Sequence, residues 1–203
     1  MEKLDRAFYS RDSISVAKAL LGKVLVRETG GERIAVRIVE TEAYMGVTDR
    51  AAHSYGGRRT PRVEVMYGAA GVAYVFMIYG MHCCFNVVTA GKEIPQAVLV
   101  RAAEPLEGLE QMALARFGKL YDALTKSQRL GLTNGPGKLC RALGLDRQFN
   151  GADLCGDTLY IEEGRQTKPS VVTTKRVGVD YAGEAKDYPW RFYSKDSEYV
   201  SVK

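Results

Sequence analysis

The feature that most constrains the fold of this chain is a continuous stretch, residues 65–91, that contains no Asp, Glu, Lys or Arg. Its length would allow a membrane span. However, Gly68, Gly71 and Gly80 interrupt it, and residues 72–79 are mostly β-branched or aromatic, a composition that favours a strand. With Gly80 and Met81 as the turn, residues 72–79 and 82–89 are predicted to form a buried β-hairpin.

The rest of the chain mixes helix and strand patterns. Ser13 is predicted to cap a helix, and residues 23–28 and 33–44 are predicted to form a second hairpin. Residues 47–71 lack a clear period and indicate a long ordered loop or short helical turns. The remaining predictions are strands at 97–102, 159–162, 171–174 and 191–193, and helices at 106–117, 120–130 and 138–143.

This order of elements indicates the fold class. It contains no βαβ repetition, no internal repeat and no linker that would divide the chain. We therefore predict one mixed α+β domain over residues 1–203, with a curved and mainly antiparallel sheet, a protruding β-hairpin and surrounding helices.

Composition narrows the function without deciding it. The chain has 29 Lys and Arg against 24 Asp and Glu, and the net charge of +5 permits a polyanionic partner without requiring one. The four cysteines lack C-x-x-C spacing, so we predict no metal and interpret them as small buried side chains in a reducing compartment. Residues 1–13 lack the apolar core of a signal peptide, so a cytosolic protein is expected.

Several common enzyme motifs are absent. The sequence contains no phosphate-binding loop, no dinucleotide fingerprint, no nucleophile elbow and no H-E-x-x-H zinc motif. Nucleotide hydrolysis, dinucleotide-dependent redox chemistry and serine hydrolysis therefore lose support.

Two carboxylates near the end of the predicted strand 33–44 could carry chemistry. Glu40 and Glu42 are two residues apart, so in a regular strand they share one face about 6.6 Å apart. Such a pair can divide acid and base roles in breaking a glycosidic bond. From spacing alone the better interpretation is ordinary ion pairing with Arg33, Arg37 or another surface cation.

The predicted hairpin tip is unusual because it carries large side chains where turns are commonly small and polar. Tyr79 and His82 flank Gly80 and Met81 there, and an apolar tip of this kind could insert between base pairs. His53 lies outside the hairpin, and a lone histidine is more often a hydrogen-bonded structural residue than a catalyst.

Two basic segments could contact phosphate. One is the loop that contains Arg58, Arg59 and Arg62, which is equally plausible as a solvated basic loop. The other is the sequence G-P-G-K at residues 135–138, which could present backbone N–H groups at the start of a helix or be only a tight turn.

Several short stretches, in order along almost the whole chain, resemble one known family. They are R-I-V-E-T-E-A-Y (37–44), A-A-H-S (51–54), G-G-R (56–58), T-P-R (60–62), Y-G-M (79–81) with Asn86, L-V-R-A (99–102), E-P-L-E-G (104–108), G-P-G-K-L-C (135–140) and R-V-G-V (176–179). Each is weak alone, but the ordered set is similar to the alkyladenine (3-methyladenine) DNA glycosylase family.

This resemblance implies a base-excision repair enzyme that flips a damaged purine out of duplex DNA and hydrolyses its N-glycosidic bond, leaving an abasic site. Glu42 matches the general base that activates water, and Arg101 and the backbone carbonyl of Val177 match groups that hold this water. Glu40 then becomes a supporting residue. No lysine Schiff base, metal or cofactor is implied, so the enzyme would be monofunctional.

The resemblance also assigns contacts to DNA. Tyr79 matches an intercalating tyrosine, and Tyr44, His53 and Phe76 match the base pocket. Asn86 matches a residue that rejects normal purines by clashing with an exocyclic amino group. Further contacts to DNA are expected at Met81, His82, Arg58, Thr60, Arg62 and Lys138.

The implied substrates are 3-methyladenine, 7-methylguanine, hypoxanthine and ethenoadenine, and the implied partner is double-stranded DNA containing such purines. We expect a bacterial monomer, with no membrane partner, that acts in the cytoplasm and at the nucleoid. Phe76 stands where well-known members have tyrosine, and His82 stands where they have an aromatic phenol. Stacking survives at Phe76 but a hydroxyl contact does not, which affects the preference among lesions.

Two other classes of function compete with this one. A non-catalytic binder of damaged DNA would retain the wedge without the chemistry, although Glu42, Arg101 and the Val177 segment are all present. A hydrolase of free nucleosides would break the same bond but would have no use for a Tyr79 wedge.

Overall fold

The computed structural model describes residues 1–165 and 169–203, and within these ranges it contains eight strands and five α-helices. The strands are β1 (Val24–Thr29), β2 (Glu32–Tyr44), β3 (Ala73–Ile78), β4 (His82–Thr89), β5 (Gln96–Glu107), β6 (Leu159–Glu162), β7 (Val171–Thr174) and β8 (Arg191–Ser194). The helices are α1 (Arg6–Tyr9), α2 (Ser13–Leu20), α3 (Leu109–Phe117), α4 (Lys126–Leu130) and α5 (Pro136–Leu143).

All eight strands join one antiparallel sheet. Its main order is β3-β4-β5-β2-β1-β6, while β8 pairs with the end of β2 and β7 pairs with β8. The long strand β2 therefore pairs first with β1 and then, from Glu40 to Glu42, with β8. The predicted α+β class with a curled antiparallel sheet is confirmed, whereas the limits of the domain stay a prediction.

The apolar core lies on the face of the sheet that the helices cover. Helix α2 packs on β2 and β5, and α5 packs on β4 and β5. Fully buried side chains such as Leu25, Ile38 and Phe85 fill this layer, and each contributes about 1.5–3 kcal/mol when it leaves water. Because strand side chains alternate, Asn86, next to Phe85, faces the opposite side of the sheet, where a cavity lies.

The charge-free stretch does contain the predicted hairpin, β3 and β4, although its turn differs. Ile78 pairs with His82, so Tyr79, Gly80 and Met81 form the loop, and the prediction of a Gly80-Met81 turn is wrong. Tyr79 and Gly80 have φ values of +51° and +69°, and the Met81 N–H donates to the Ile78 carbonyl at 3.2 Å. Two positive φ angles match the right-handed twist of hairpin strands, which explains the tight tip.

The first long helix has a different cap from the predicted one. Asp12 is the cap, and its side chain accepts from the Ser15 N–H at 2.9 Å. Ser13 is instead buried inside the first turn, where its hydroxyl donates to the Tyr44 carbonyl at 3.2 Å. Either side chain can cap a helix, and the docking of the helix on β2 decided between them.

The second difference concerns the end of β5. The strand continues to Glu107 and includes Pro105, and the helix predicted from residue 106 begins only at Leu109. Pro105 lies opposite Val36 beside a register shift, a position where a missing N–H is tolerated. Gly108, with a φ of +78°, then turns the chain into α3.

Two further predictions, one of an irregular segment and one of a helix, can be compared with the structure. Residues 47–71 form short turns with 3-10 helices at Tyr55–Gly57 and Glu64–Tyr67, as the irregular sequence suggested. The helix predicted at 120–130 divides into a 3-10 turn, Tyr121–Ala123, and α4. Thr125 separates the two because it forms a capping box with Gln128.

In the described ranges, 1–165 and 169–203, every helix is too short or too polar to cross a membrane.

Candidate active site

Glu42 is a fully buried carboxylate near the end of β2, with an exposed fraction of 0%. Its Oε1 accepts from the backbone N–H of Val177 at 2.8 Å, and its Oε2 accepts from the hydroxyl of Tyr44 at 2.9 Å. The Nη1 atom of Arg101 lies 3.4 Å from Oε1. These contacts bring the three predicted catalytic residues, Glu42, Arg101 and Val177, together.

The surroundings of Glu42 make it a stronger base than an exposed glutamate. Burial raises the pKa of Glu42, while the charge of Arg101 and the hydrogen bonds from Val177 and Tyr44 act in the opposite direction. Burial also raises the pKa of Tyr44, so its hydroxyl stays protonated and continues to donate. A carboxylate of raised pKa takes a proton from water more readily.

A β-bulge aims Arg101 at the two carboxylates. In the pairing of β2 with β5, Thr41 lies opposite Val100 and Glu40 lies opposite Ala102, so the register passes over Arg101. Bulges re-aim side chains in this way, often next to active sites. No local sequence pattern indicates the bulge, because it depends on how two distant strands align.

The interpretation of Glu40 and Glu42 as surface ion pairs is wrong. Glu40 is fully buried and contacts Arg101 and Arg191, whereas Arg37 pairs with Glu104 at 2.6 Å. The expectation that Glu40 and Glu42 share a face is confirmed, because both contact the same guanidinium.

A cavity of about 530 Å³ opens above Glu42. Glu42 itself lies beneath its wall, behind three residues that do line it, Tyr44, Arg101 and Val177. Other predicted site residues that line the cavity are His53, Arg62, Phe76, Tyr79 and Asn86. The cavity is therefore the meeting point of residues from β2, β3, β4, β5 and the loops before β3 and after β7.

One wall of the cavity is aromatic. The ring of His53 meets that of Phe76 edge-on with centroids 4.6 Å apart, and its Nδ1 shares a 2.8 Å hydrogen bond with the hydroxyl of Tyr74. Burial, with Arg62 and Arg58 nearby, lowers the pKa of His53 to about 4, so its ring is neutral at neutral pH. Tyr74 was not predicted as a site residue, although its strand alternation with Phe76 was the available signal.

Asn86 lies directly opposite Tyr74 in the β3–β4 pair. Its Nδ2 donates to the Tyr74 carbonyl at 3.0 Å, and only 4% of the residue is exposed. The amide is therefore held at a fixed orientation in the cavity wall.

The residues predicted to contact DNA lie at the hairpin tip, at the start of α5 and in the basic loop. Tyr79 and Met81 are 89% and 73% exposed at the hairpin tip, and His82 packs against Gly137 at the start of α5. Lys138 is exposed, and its Nζ donates to the Asn134 side chain at 2.8 Å.

The basic loop is only partly free of internal pairing. The guanidinium of Arg62 lies 4.9 Å from the Phe76 ring centroid, and Arg58 and Thr60 are exposed. Arg59 instead pairs with Glu64 at 2.7 Å and Glu93 at 2.6 Å, so its guanidinium is already engaged in ion pairs within the protein.

A buried ion pair that the sequence did not indicate holds the Val177 segment. Arg176 donates to both carboxylate oxygens of Asp49, at 2.6 and 2.9 Å, and also to the carbonyls of Ala43 and Ala185. Its guanidinium also lies 4.8 Å from the Tyr44 ring centroid. Arg176 and Asp49 are 127 residues apart, so local spacing could not have revealed the pair.

Potential metal ligands do not cluster in the described residues. Within 1–165 and 169–203 no group of three or more His, Cys, Asp and Glu side chains lies close enough to hold an ion. The four cysteines are free, and two of them, Cys84 and Cys140, are buried.

The fold and the site define a class: an α+β protein with a buried carboxylate below an aromatic cavity and an exposed hairpin at the mouth. The family model of methylpurine-DNA glycosylase (MPG) matches residues 7–198. The chain therefore belongs to the methylpurine-DNA glycosylase family, which confirms the resemblance read from its motifs. Its activity is that of a DNA glycosylase, a hydrolase of N-glycosyl bonds in DNA repair.

Bacterial relatives match over the whole chain. A protein of Desulfitobacterium hafniense (strain Y51) is 66% identical over 203 residues, covering 100% of both chains. A protein of Clostridium acetobutylicum is 58% identical over 200 residues, covering 98% of both, and one of Clostridium novyi (strain NT) is 52% identical over 203 residues. All three carry the name "Putative 3-methyladenine DNA glycosylase".

Proposed function

We propose that this glycosylase flips a damaged purine out of duplex DNA into the 530 Å³ cavity and hydrolyses its N-glycosidic bond with water activated by Glu42. The products are the free base and an abasic site. The proposed substrates are 3-methyladenine, 7-methylguanine, hypoxanthine and ethenoadenine. We also propose that the enzyme acts as a monomer at the nucleoid.

The observation that carries this proposal is the setting of Glu42. A buried carboxylate with a raised pKa lies directly beneath an aromatic cavity, between Tyr44, Arg101 and Val177. Water polarised there would attack C1′ of a nucleotide whose base occupies the cavity. Arg101 and the Val177 carbonyl are proposed to orient this water, and the bond between the Val177 N–H and Glu42 supports that role because it holds the segment close.

The hairpin tip supports base flipping. Extrusion of a nucleotide leaves a gap in the stack and costs a few kcal/mol, less for a damaged or mispaired base. Tyr79 is 89% exposed and also lines the cavity, so one residue adjoins both the proposed gap and the proposed pocket. Met81, Arg58, Thr60, Arg62, His82 and Lys138 are proposed to contact the duplex nearby.

The cavity wall supports a preference for alkylated purines. Phe76, Tyr44 and the neutral ring of His53 are proposed to stack on a cationic base, which would take the place of the Arg62 guanidinium on the Phe76 ring. Asn86, which is fixed by Tyr74, is proposed to reject normal purines by clashing with an exocyclic amino group.

The cavity composition supports a monofunctional mechanism. A lyase would need an amine to form a Schiff base, and none of the cavity-lining side chains among the described residues is a lysine. Hydrolysis with Glu42 as general base needs no such amine.

The test of this proposal is release of the base under single-turnover conditions from duplexes that carry hypoxanthine or ethenoadenine, with a matched undamaged duplex as control. We expect excision of at least one lesion and none from the undamaged duplex. Tight binding of lesion duplexes without release of these or alkylated bases would support the non-catalytic binder instead.

A prediction concerns the wedge. Tyr79→Ala is expected to slow release from duplex DNA about 10- to 100-fold, because the unfilled gap no longer offsets the cost of unstacking. The same variant should retain near-native release from a single-stranded oligonucleotide, which has no partner strand to reseal. Both rates are measured in single-turnover assays. If Tyr79→Ala released the base at the native rate from both substrates, Tyr79 would have no role in the mechanism and a nucleoside hydrolase would be favoured.

A further inference from the structure

Glu40 and Arg191 form a buried cluster behind Glu42 that the proposed chemistry does not use. The Oε1 of Glu40 accepts from the Nη1 of Arg191 at 2.7 Å and from the Nε of Arg101 at 3.2 Å. Its Oε2 accepts from the backbone N–H of Ser201 at 2.7 Å. Glu40 and Arg191 are buried, with exposed fractions of 0% and 5%, and Ser201 is half-buried.

We infer that Glu40, together with Arg191, is a positioning residue that fixes the guanidinium of Arg101 against Glu42. The inference rests on the proposed function, because it assigns Glu40 an effect on the reaction only through Arg101 and Glu42. It extends that proposal by naming the residues that orient the Arg101 guanidinium.

Two different nitrogens of the Arg101 guanidinium contact the two carboxylates. Arg101 uses Nε for Glu40 and Nη1 for Glu42, and its Nη2 lies 3.4 Å from the hydroxyl of Ser201. A planar guanidinium held at different nitrogens cannot rotate freely. Glu40 therefore limits how far Arg101 can turn away from Glu42, and Arg191 keeps Glu40 in place from strand β8.

The charges around Glu42 give this arrangement a measurable consequence. The titratable or charged groups around it are Glu40 and Tyr44 from β2, Cys84 from β4, Arg101 from β5, and Arg176 and Tyr181 from the segment after β7. Arg191 of β8 lies opposite Glu42 in the strand pairing and contacts Glu40. Arg101 lowers the pKa of Glu42, whereas the negative charge of Glu40 raises it. Arg191 partly neutralises the negative charge of Glu40, and this weakens the rise that Glu40 causes in the pKa of Glu42.

Two substitutions should therefore move the acidic limb of the pH–rate profile in opposite directions. Activity requires the ionised form of Glu42, so the rate rises as the pH passes its pKa. Glu40→Gln removes the negative charge but keeps an oxygen that accepts from Arg101, so the guanidinium stays near Glu42 in a less exact orientation. The pKa of Glu42 therefore falls, and the limb moves to lower pH. Arg191→Gln exposes Glu42 to the full charge of Glu40, raises the pKa and moves the limb to higher pH.

The experiment measures single-turnover release against pH at saturating enzyme, together with the Kd for the lesion duplex. Glu40→Gln is expected to lower the maximal rate about 10- to 100-fold with a Kd within about twofold of native, since small misplacements of catalytic groups have large effects. The control is Glu104→Gln, which removes a cross-strand pair with Arg37 between the same strands, β2 and β5. It should leave the rate and the midpoint unchanged.

The pH midpoint keeps the test independent of how much protein is folded. Arg191→Lys retains the charge and is expected to keep the native midpoint, so it is the charge-matched control for Arg191→Gln. If Arg191→Gln does not fold, the rate and midpoint of Glu40→Gln decide the test. A native rate and midpoint for Glu40→Gln, or shifts of both variants in the same direction, would overturn the inference. Native activity of Glu42→Gln would instead overturn the proposed function and this inference with it, so the two failures are distinguishable.

Discussion

Glu42→Gln is expected to slow single-turnover release of the base about 10³-fold or more, because an amide cannot take a proton from water. The substitution should fit the site. The amide oxygen can still accept from the Val177 N–H, and the amide NH₂ can donate to the Tyr44 hydroxyl, which reverses its present direction. Binding of the lesion duplex should therefore persist at near-native affinity, as measured by fluorescence anisotropy.

The control for this variant is again Glu104→Gln, a Glu-to-Gln change on neighbouring strand β5 that leaves the cavity intact. Residual activity within tenfold of native would exclude Glu42 as the general base. Loss of binding together with activity would point to a folding defect, which urea unfolding of the same preparation would detect.

Arg176→Met is expected to lower the free energy of unfolding by about 3–5 kcal/mol, because it leaves the fully buried carboxylate of Asp49 without its partner. The substitution also removes donors from the carbonyls of Ala43 and Ala185. The Arg176 guanidinium also lies 5.0 Å from the Trp190 ring centroid, and methionine would replace this contact with weaker packing. Urea denaturation of native and variant protein measures the difference.

A second substitution separates the buried charge from the lost packing. Asp49→Asn in the Arg176→Met background should recover part of the stability, because it removes the uncompensated charge. Arg59→Met, which breaks an exposed pair with Glu64, should cost no more than about 1 kcal/mol. A loss that small for Arg176→Met would show that the Asp49 pair does not hold the Val177 segment.

Arg176 also connects stability with the proposed chemistry. Its side chain lies beside the Tyr44 ring, and the next residue donates its N–H to Glu42. Two buried ion-pair systems therefore lie around the Glu42 carboxylate, one that contains Asp49 and one that contains Glu40.

Much of this arrangement could be predicted from sequence because strands follow a period of two. The alternation in residues 33–44 indicated that Glu40 and Glu42 share a face, and the aromatic run before Gly80 indicated a hairpin. Both signals are local, since they depend on residues within one strand. The ordered motifs then indicated the family, which the match over residues 7–198 confirms.

Other expectations failed where the outcome depended on neighbouring strands. A helix was predicted to begin just after Pro105, yet Pro105 lies inside β5 because a register shift with β2 accommodates its missing N–H. Tyr79 was assigned to a strand, yet it lies in the turn with a positive φ. The local sequence permits either outcome, and strand alignment selects one.

By itself, the sequence determined the approximate positions of the strands, the shared face of the two glutamates, the hairpin and the family. Only the tertiary structure decided which cations meet those glutamates, that Arg101 falls in a bulge and that Arg176 pairs with Asp49. The physical reason is distance along the chain. Periodicity encodes which way a side chain points, but the two cations that Glu40 meets come from strands 61 and 151 residues away, whose positions are set by packing of the whole sheet.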